Sequence, residues 1–447
     1  MAATGQPWTR TIAPPALLAR VALWTVLAVN LVIVEAIFLT YGQGKNSILT
    51  VAKFFGLHLA LVMMFQLTLV ARLPWLDRRI GMDRLTLWHR WVGFTVFWLV
   101  LAHANLIVLG YATLDGKPTY VTFFALASGV PTLLGVLAAA TILTVVLVSL
   151  RVVRRKLQYE TWHSVHLLLY LAVLAGLIHQ SLEPASFLSS SLATAYWYAL
   201  WAAVLLALFT GRVVIPVWRN LYHQFRVAAV VPESDNVVSV HVTGRHLDRL
   251  PAQAGQFMIW RFLGHNRWWH ANPFSLSAAP NGRSLRLTAK AVGSASAGLR
   301  NVPVGTRVFA EGPYGAFTTL HQSKPAALLI AGGVGITPVR SLLEDATGPV
   351  TVLYRVHSPA DAVLYAELQE LARARGAQIH LLTGRTGAGT PPNSPFEPRN
   401  LIALVPDIGE RDVFVCGPPA MTTAVVRSLK ALKVPGRQIH AERFGLA

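Results

Sequence analysis

Four histidines lie inside long apolar stretches, where an ionisable side chain is costly and is usually retained for a function. His89 and His103 are 14 residues apart in one stretch, and His166 and His179 are 13 residues apart in another. At about 3.6 residues per turn, the 14-residue interval is close to four whole turns and the 13-residue interval falls about one and a half residues short of four; each pair is read as projecting from one helix face, with about 20 Å between its members at about 1.5 Å per residue. Two donors on each of two helices, at two depths, are what two bis-histidine haems require, and imidazole is a common haem-iron ligand. A porphyrin between the helices also gives the polar rings an apolar host. A lone membrane histidine is more often an interhelical hydrogen-bond partner, so the matched register carries the reading. His58 has no partner at comparable spacing and is read as structural or as a contact to a haem propionate. His163 is second choice for the inner ligand, because its interval of 16 residues to His179 matches less well.

These rings need helices that cross a bilayer. The 447 residues are 53% hydrophobic and 13% charged, and the apolar excess ends near Val217, after which Gly, Pro and charge recur as in a soluble protein. A membrane half therefore precedes a soluble half. Spans of about twenty residues, enough for a hydrocarbon core about 30 Å thick, fit at Leu18–Thr40, Ile48–Val70, Leu85–Leu109, Pro131–Leu150, Trp162–Leu182 and Leu192–Ile215. Arg72, Arg78, Arg79 and Arg84 follow span two, Arg151, Arg154, Arg155 and Lys156 follow span four, and Arg212 and Arg219 close span six. The alternate connectors carry only Lys45 and Lys117. This asymmetry predicts a multi-pass protein of the cell membrane with both termini and the soluble half in the cytoplasm. It also accounts for much of the net charge of +19 without nucleic acid as a partner. Arg10 and Arg20 precede a stretch too long for a signal peptide, so span one is read as retained. Spans three and five then run outward, which pairs His89 with His166 at the inner level and His103 with His179 at the outer level. Cys416 is the only cysteine, which excludes disulfides, cysteine-held zinc and a chain-encoded iron–sulfur cluster.

The segments Trp88-His89-Arg90 with His103, and Trp162-His163-Ser164-Val165-His166 with His179, resemble the ferric reductase and NADPH oxidase transmembrane domain. In that family the third and fifth helices each supply two haem-ligating histidines. The resemblance implies two haems b and extends over the whole chain once the soluble half is included.

Short alternating strands from Tyr222 to Thr319 predict a small antiparallel β-barrel. This stretch carries Asn272-Pro273-Phe274-Ser275-Leu276-Ser277, then Lys290 through Leu299 with Gly293 and Ser296, then Gly312-Pro313-Tyr314-Gly315. The motifs resemble the ferredoxin-NADP reductase-like superfamily, in which the first cradles the flavin and the second holds the FAD pyrophosphate. A Gly/Ser turn exposes backbone N–H groups to phosphate, and a serine beside a ring edge can hydrogen-bond the flavin. Asn272 departs from the family, whose first position is usually arginine or histidine. Phosphate neutralisation is then expected from Lys290, His270 or Arg300. From Ala326 the pattern becomes strand, Gly-rich turn and helix, as in a doubly wound α/β nucleotide domain. Gly332, Gly333, Gly335, Thr337 and Pro338 open it, and Cys416, Gly417 and Pro418 resemble the late turn flanking the nicotinamide. Arg355 stands where a 2′-phosphate is held, with Arg385 after the next strand, which favours NADPH, with NADH possible. Phe444 resembles the terminal aromatic that covers the flavin, and Ser275, Cys416 and Phe444 are the flavin-facing candidates.

The expected domains are residues 1–220, a six-span di-haem unit; 221–322, the FAD barrel; and 323–447, the NAD(P) domain. The expected activity is electron transfer from NAD(P)H through FAD and two haems to a small extracytoplasmic acceptor, a ferric chelate or dioxygen. The flavin divides the hydride pair into the single electrons that haem iron accepts, and no protein nucleophile or base is required. No protein partner is evident besides the bilayer. One rival is a transporter or channel with a regulatory nucleotide domain, its histidines relaying protons. Another is a haem-free anchor whose flavin half serves a soluble partner.

Overall fold

The computed structural model describes residues 15–183, 186–265, 271–387 and 394–443; His270 and Phe444 lie outside the described residues. The chain forms two compact units, one of residues 19–73 and 84–210, the other chiefly of 74–83 and 211–447.

Six helices are long and apolar enough to cross a membrane: Ala16–Tyr41, Ser47–Leu69, Met82–Asp115, Val130–Ser149, Glu160–Ser189 and Ser191–His223, called spans one to six below. Their inward faces pack Val34, Met64, Phe187 and Trp197 in one cluster and Val96, Val100, Ala138, Ile142 and Ala172 in another. Leu39, Trp98 and Leu192 are among the many large apolar side chains left on the outside, as a lipid solvent permits. Span three continues to Asp115, past the expected end at Leu109, and Thr119–Ala127 adds a helix within the following connector. Span five is broken at Leu168, whose N–H bonds back to the Val165 carbonyl at 3.1 Å. That tight turn uses fewer residues than a regular one, which brings the interval from His166 to His179 nearer to whole turns. Span six widens into a π-turn at Thr210–Val214. Pro216 lies just beyond it and has no N–H to return to Arg212, a frequent cause of such a widening.

The second unit holds eleven strands among the described residues. β1 (Arg226–Ser234), β2 (Val237–Thr243) and β5 (Ser284–Lys290) form one antiparallel sheet, while β4 (Asn272–Ser275), β3 (Phe257–Phe262) and β6 (Val308–Tyr314) form another. Val240, Met258, Trp260, Leu276, Leu287 and Ala310 fill the space between them. The expected barrel is not closed among the described residues: only single bridges, Leu276 with Leu287 and Arg226 with Arg307, join the two sheets. Pro273 removes a ladder donor from the four-residue β4, and bulges interrupt β1 beside Val227 and Pro232, so these strands end as edges.

β7 (Ala326–Gly332), β8 (Val350–Arg355), β9 (Gln378–Leu382), β10 (Arg411–Gly417) and β11 (Ile439–Arg443) make a parallel sheet in the order β11-β10-β7-β8-β9. The near-continuous apolar runs of β7 and β10 suit strands covered on both faces, and the helices Ile336–Asp345 and Pro419–Ala431 pack against them.

Candidate cofactor site

In the helical unit the rings of His89 and His166 face each other with centres 6.1 Å apart. An imidazole–metal bond is about 2 Å long, so two rings sharing one ion stand about 6 Å apart, and the observed spacing fits. The ring opposite His89 is that of His166. Trp162 lies 5.1 Å from the His166 ring, donates to Ser149 Oγ at 3.0 Å and carries the Arg154 guanidinium 4.7 Å over its face. Gln66 donates to the His89 carbonyl at 2.9 Å.

His103 and His179 are held differently. His103 Nδ1 lies 2.9 Å from the Ala52 carbonyl and His179 Nδ1 lies 2.9 Å from the Pro131 carbonyl. A carbonyl only accepts, so each Nδ1 carries the proton and each Nε2 keeps a lone pair for a metal. No group of three or more His, Cys, Asp or Glu side chains gathers as a metal site among the described residues. An ion between two of these imidazoles would take its remaining ligands from a macrocycle, as haem iron does. His58 has both nitrogens engaged, Nδ1 with the Phe54 carbonyl at 2.8 Å and Nε2 with Glu35 Oε1 at 3.1 Å on span one.

In the second unit Ser275 is buried and its Oγ meets no hydrogen-bond partner among the described residues. Phe274 is half-buried against the core, and Asn272 spends Nδ2 on the Trp260 carbonyl at 3.2 Å. Leu276 is fully buried in the core, with its N–H on the Gln256 carbonyl at 2.8 Å. The Ser277 hydroxyl belongs to a buried chain, receiving Thr288 Oγ1 at 2.8 Å and Arg286 Nε at 3.1 Å. Arg286 and Arg340 both bind Glu367, at 3.0 and 2.6 Å, which ties the first flavin motif to the nucleotide helix Ile336–Asp345. Ser296 Oγ accepts from the N–H groups of Val292 and Gly293 at 3.1 and 3.2 Å and shapes the Gly/Ser turn, while the Lys290 side chain is exposed.

The nucleotide turn depends on missing side chains. A Cβ on Gly335 would collide with the Cys416 carbonyl, and one on Gly417 would lie 3.1 Å from Gly332 Cα. Gly333 adopts φ +54°, in the left-handed region. The turns after β7 and β10 thereby approach closely enough to share one ligand. Thr337 Oγ1 closes the helix start on the Val334 carbonyl at 3.0 Å, with Pro338 buried beside it, and Pro418 leads into the helix at Pro419. Arg355 is buried at the end of β8, with Nη1 on the Thr383 carbonyl at 2.6 Å, whereas Arg385 is exposed. Cys416 is fully buried, and burial pushes its thiol up, with Glu442 and Asp83 adding to the rise.

Residues 55–177 match the family described as ferric reductase like transmembrane component, 222–318 match an FAD-binding domain, and 329–427 match an oxidoreductase NAD-binding domain. The chain has the architecture of the ferric reductase and NADPH oxidase superfamily. The first match and the six apolar helices make it a multi-pass membrane protein of that architecture. The chain is 31% identical over 245 residues to a flavohemoprotein of Burkholderia sp. (strain TH2), covering 52% of this chain and 61% of the relative. It is 32% identical to the ferredoxin reductase component of 3-ketosteroid-9-alpha-monooxygenase from Mycobacterium tuberculosis, covering 49% of this chain and 65% of that one. The FAD/NAD binding domain of nitric oxide dioxygenase from Vibrio cholerae O1 biovar El Tor aligns at 28% identity and TM-score 0.41, over 50% of this chain and 98% of that chain. The chain thus spans about three fifths of the length of the flavohemoprotein and just under two thirds of that of the reductase component.

Three acidic residues take structural positions that the sequence motifs do not mark. Glu442 is the β11 partner of Cys416, and its Oε2 is shut off from solvent without a hydrogen-bond partner among the described residues. Asp77, on the short helix Pro74–Ile80, accepts from the Gly315 N–H at 2.8 Å. Glu35 faces His58. An acidic residue near the chain's end or amid basic neighbours was the available signal, and it is a weak one.

Proposed function

We propose that the chain carries electrons from cytoplasmic NAD(P)H, through FAD, to two haems b and on to a small acceptor outside the cell membrane, a ferric chelate or dioxygen, with both termini cytoplasmic. His89 and His166 hold the inner haem, and His103 and His179 hold the outer. Asn272 to Ser277, Lys290, Gly293, Ser296 and Phe444 receive FAD. Gly332, Gly333, Gly335, Thr337, Pro338, Arg355, Cys416, Gly417 and Pro418 receive the dinucleotide, with NADPH preferred. Residues 1–220, 221–322 and 323–447 serve as the haem, FAD and NAD(P) domains.

Haem and flavin, once bound, supply one-electron exchange and the division of a hydride pair into single electrons. The protein supplies position. The observation that carries the reading is the His89–His166 ring spacing of 6.1 Å, supported by the two outer rings whose Nδ1 protons are fixed on carbonyls. Ser275 has a buried hydroxyl available to a flavin edge, and the two glycine turns approach each other closely enough to receive one dinucleotide. A reduced-minus-oxidised visible spectrum of the purified protein after NADPH addition is the test. A Soret band that shifts with NADPH, and that loses intensity in His103→Ala and His179→Ala, is expected; an unchanged haem content in those variants overturns the ligand assignment. Acceptor consumption by reconstituted vesicles, with ferric chelate or dioxygen outside and NADPH at the cytoplasmic face, then identifies the acceptor.

A further inference from the structure

Two glycines on the even-numbered spans stand against the two outer histidines. A Cβ on Gly56 would lie 2.8 Å from His103 Cε1 and 2.9 Å from its Nδ1; a Cβ on Gly135 would lie 2.9 Å from both Cε1 and Nδ1 of His179. Real Cβ atoms do not approach so closely. In each case the carbonyl that receives Nδ1 belongs to the residue one turn earlier on the glycine's own helix, Ala52 before Gly56 and Pro131 before Gly135.

Helix geometry explains the recurrence. The carbonyl of residue n points along the axis toward the N–H of residue n+4, and the side chain of n+4 leans back over that same turn. Any side chain there screens the carbonyl from a neighbouring helix. Glycine leaves the second oxygen lone pair open, and an imidazole can lie on the bare backbone and donate into it. His166 lacks such a contact, since its Nδ1 finds no partner among the described residues.

We infer that Gly56 and Gly135 are positioning residues of the outer haem, each uncovering the carbonyl that sets the tautomer and ring plane of its histidine. The inference rests on the haem reading above. A ligand whose Nδ1 proton is shared with a carbonyl is a stronger donor to iron, so the same contacts tune the outer centre separately from the inner.

Gly56→Ala and Gly135→Ala in the full-length protein test it, with Gly176→Ala as control, because a Cβ there meets nothing within 4 Å. Haem per protein, the ferric low-spin EPR signals and a spectroelectrochemical titration are the readouts. Haem affinity at one of the two centres is expected to fall about 10–100-fold in each glycine variant, or that centre's midpoint potential and EPR signal to move, with the inner centre and the control unchanged. Two haems with unaltered signals and potentials in both variants overturn the inference and leave the haem reading standing. An unsubstituted protein without haem overturns the reading itself. The inner centre reports folding: if one variant loses both signals and its native gel-filtration position, the other variant decides, and loss of both centres in both variants also overturns the inference.

Discussion

The Asp77 carboxylate accepts a hydrogen bond from the Gly315 backbone N–H at 2.8 Å, so the connector that follows span two is built into the flavin half. His321 Nε2 meets the Arg78 carbonyl at 3.0 Å, and Asn220 pairs with both the N–H and the carbonyl of Ala310 at 2.8 Å, so β6 and the turn after it are held from two sides. Asp77→Ala leaves the Gly315 donor buried without its acceptor, which costs about 1–3 kcal/mol. A lower temperature of FAD release, followed by flavin fluorescence, is expected, with a smaller drop for Asp77→Asn.

Ser275 tests the flavin edge. Its hydroxyl satisfies nothing within the described protein, so Ser275→Ala should leave the stability of the FAD-free protein unchanged or slightly raised. Flavin reduction by NADPH, measured by stopped flow, should slow about tenfold, the worth of one hydrogen bond of about 1.4 kcal/mol. An equal loss of FAD-free stability would assign the hydroxyl a structural role instead.

Arg355 tests the choice of dinucleotide. Its Nη1 is committed to the Thr383 carbonyl and its Nη2 lies 3.5 Å from Thr386 Oγ1, so the proposed 2′-phosphate contact would draw on its remaining donors. Arg355→Ala should raise KM for NADPH about 10–100-fold, as loss of a charge-assisted hydrogen bond of about 1.5–3 kcal/mol implies, and leave KM for NADH nearly unchanged. Equal effects on both cofactors would refute the assignment.

Glu442 sets a pH dependence. Burial, with the nearby Asp83 and Asp77 carboxylates, holds its carboxyl well above the usual carboxylate range. The folded protein therefore keeps a proton that the unfolded chain releases near pH 4.3, the ordinary value of about 4.3 for glutamate. Stability from this site is full below that pH and is lost as pH rises toward the folded value. Glu442→Gln removes the titration, so its Tm should fall less than that of the unsubstituted protein as pH is raised from about 5 to about 8.

The parts of the molecule differed in how far the chain's order of residues announced them. Helix period alone places His89 and His103 on one face, and the nucleotide turn is legible because Gly332, Gly335 and Gly417 sit at positions where backbone must approach backbone. The break at Leu168 has no Pro or Gly to signal it. The open edges of the expected barrel follow from Pro273 and the bulges of β1, which act through pairing partners far along the chain. In the connector at Pro74–Ile80 the arginines account for the charge asymmetry, and nothing in the sequence marks the single Asp77 among them as a contact to Gly315. Backbone carbonyls leave no trace in residue identity, so Ala52 and Pro131 were invisible, although the glycines that expose them were not.

The carbonyls opposite His103 and His179 also bear on which charges those two rings can pass. An oxygen that accepts and never donates gives the Nδ1 proton no onward step, and the ring cannot change tautomer without breaking that bond. His103 and His179 are therefore dead ends for protons while their other nitrogens stay open to metal. Under the proposed function, charge passing these two rings would move as electrons, and the compensating positive charge would take a different route through the bilayer.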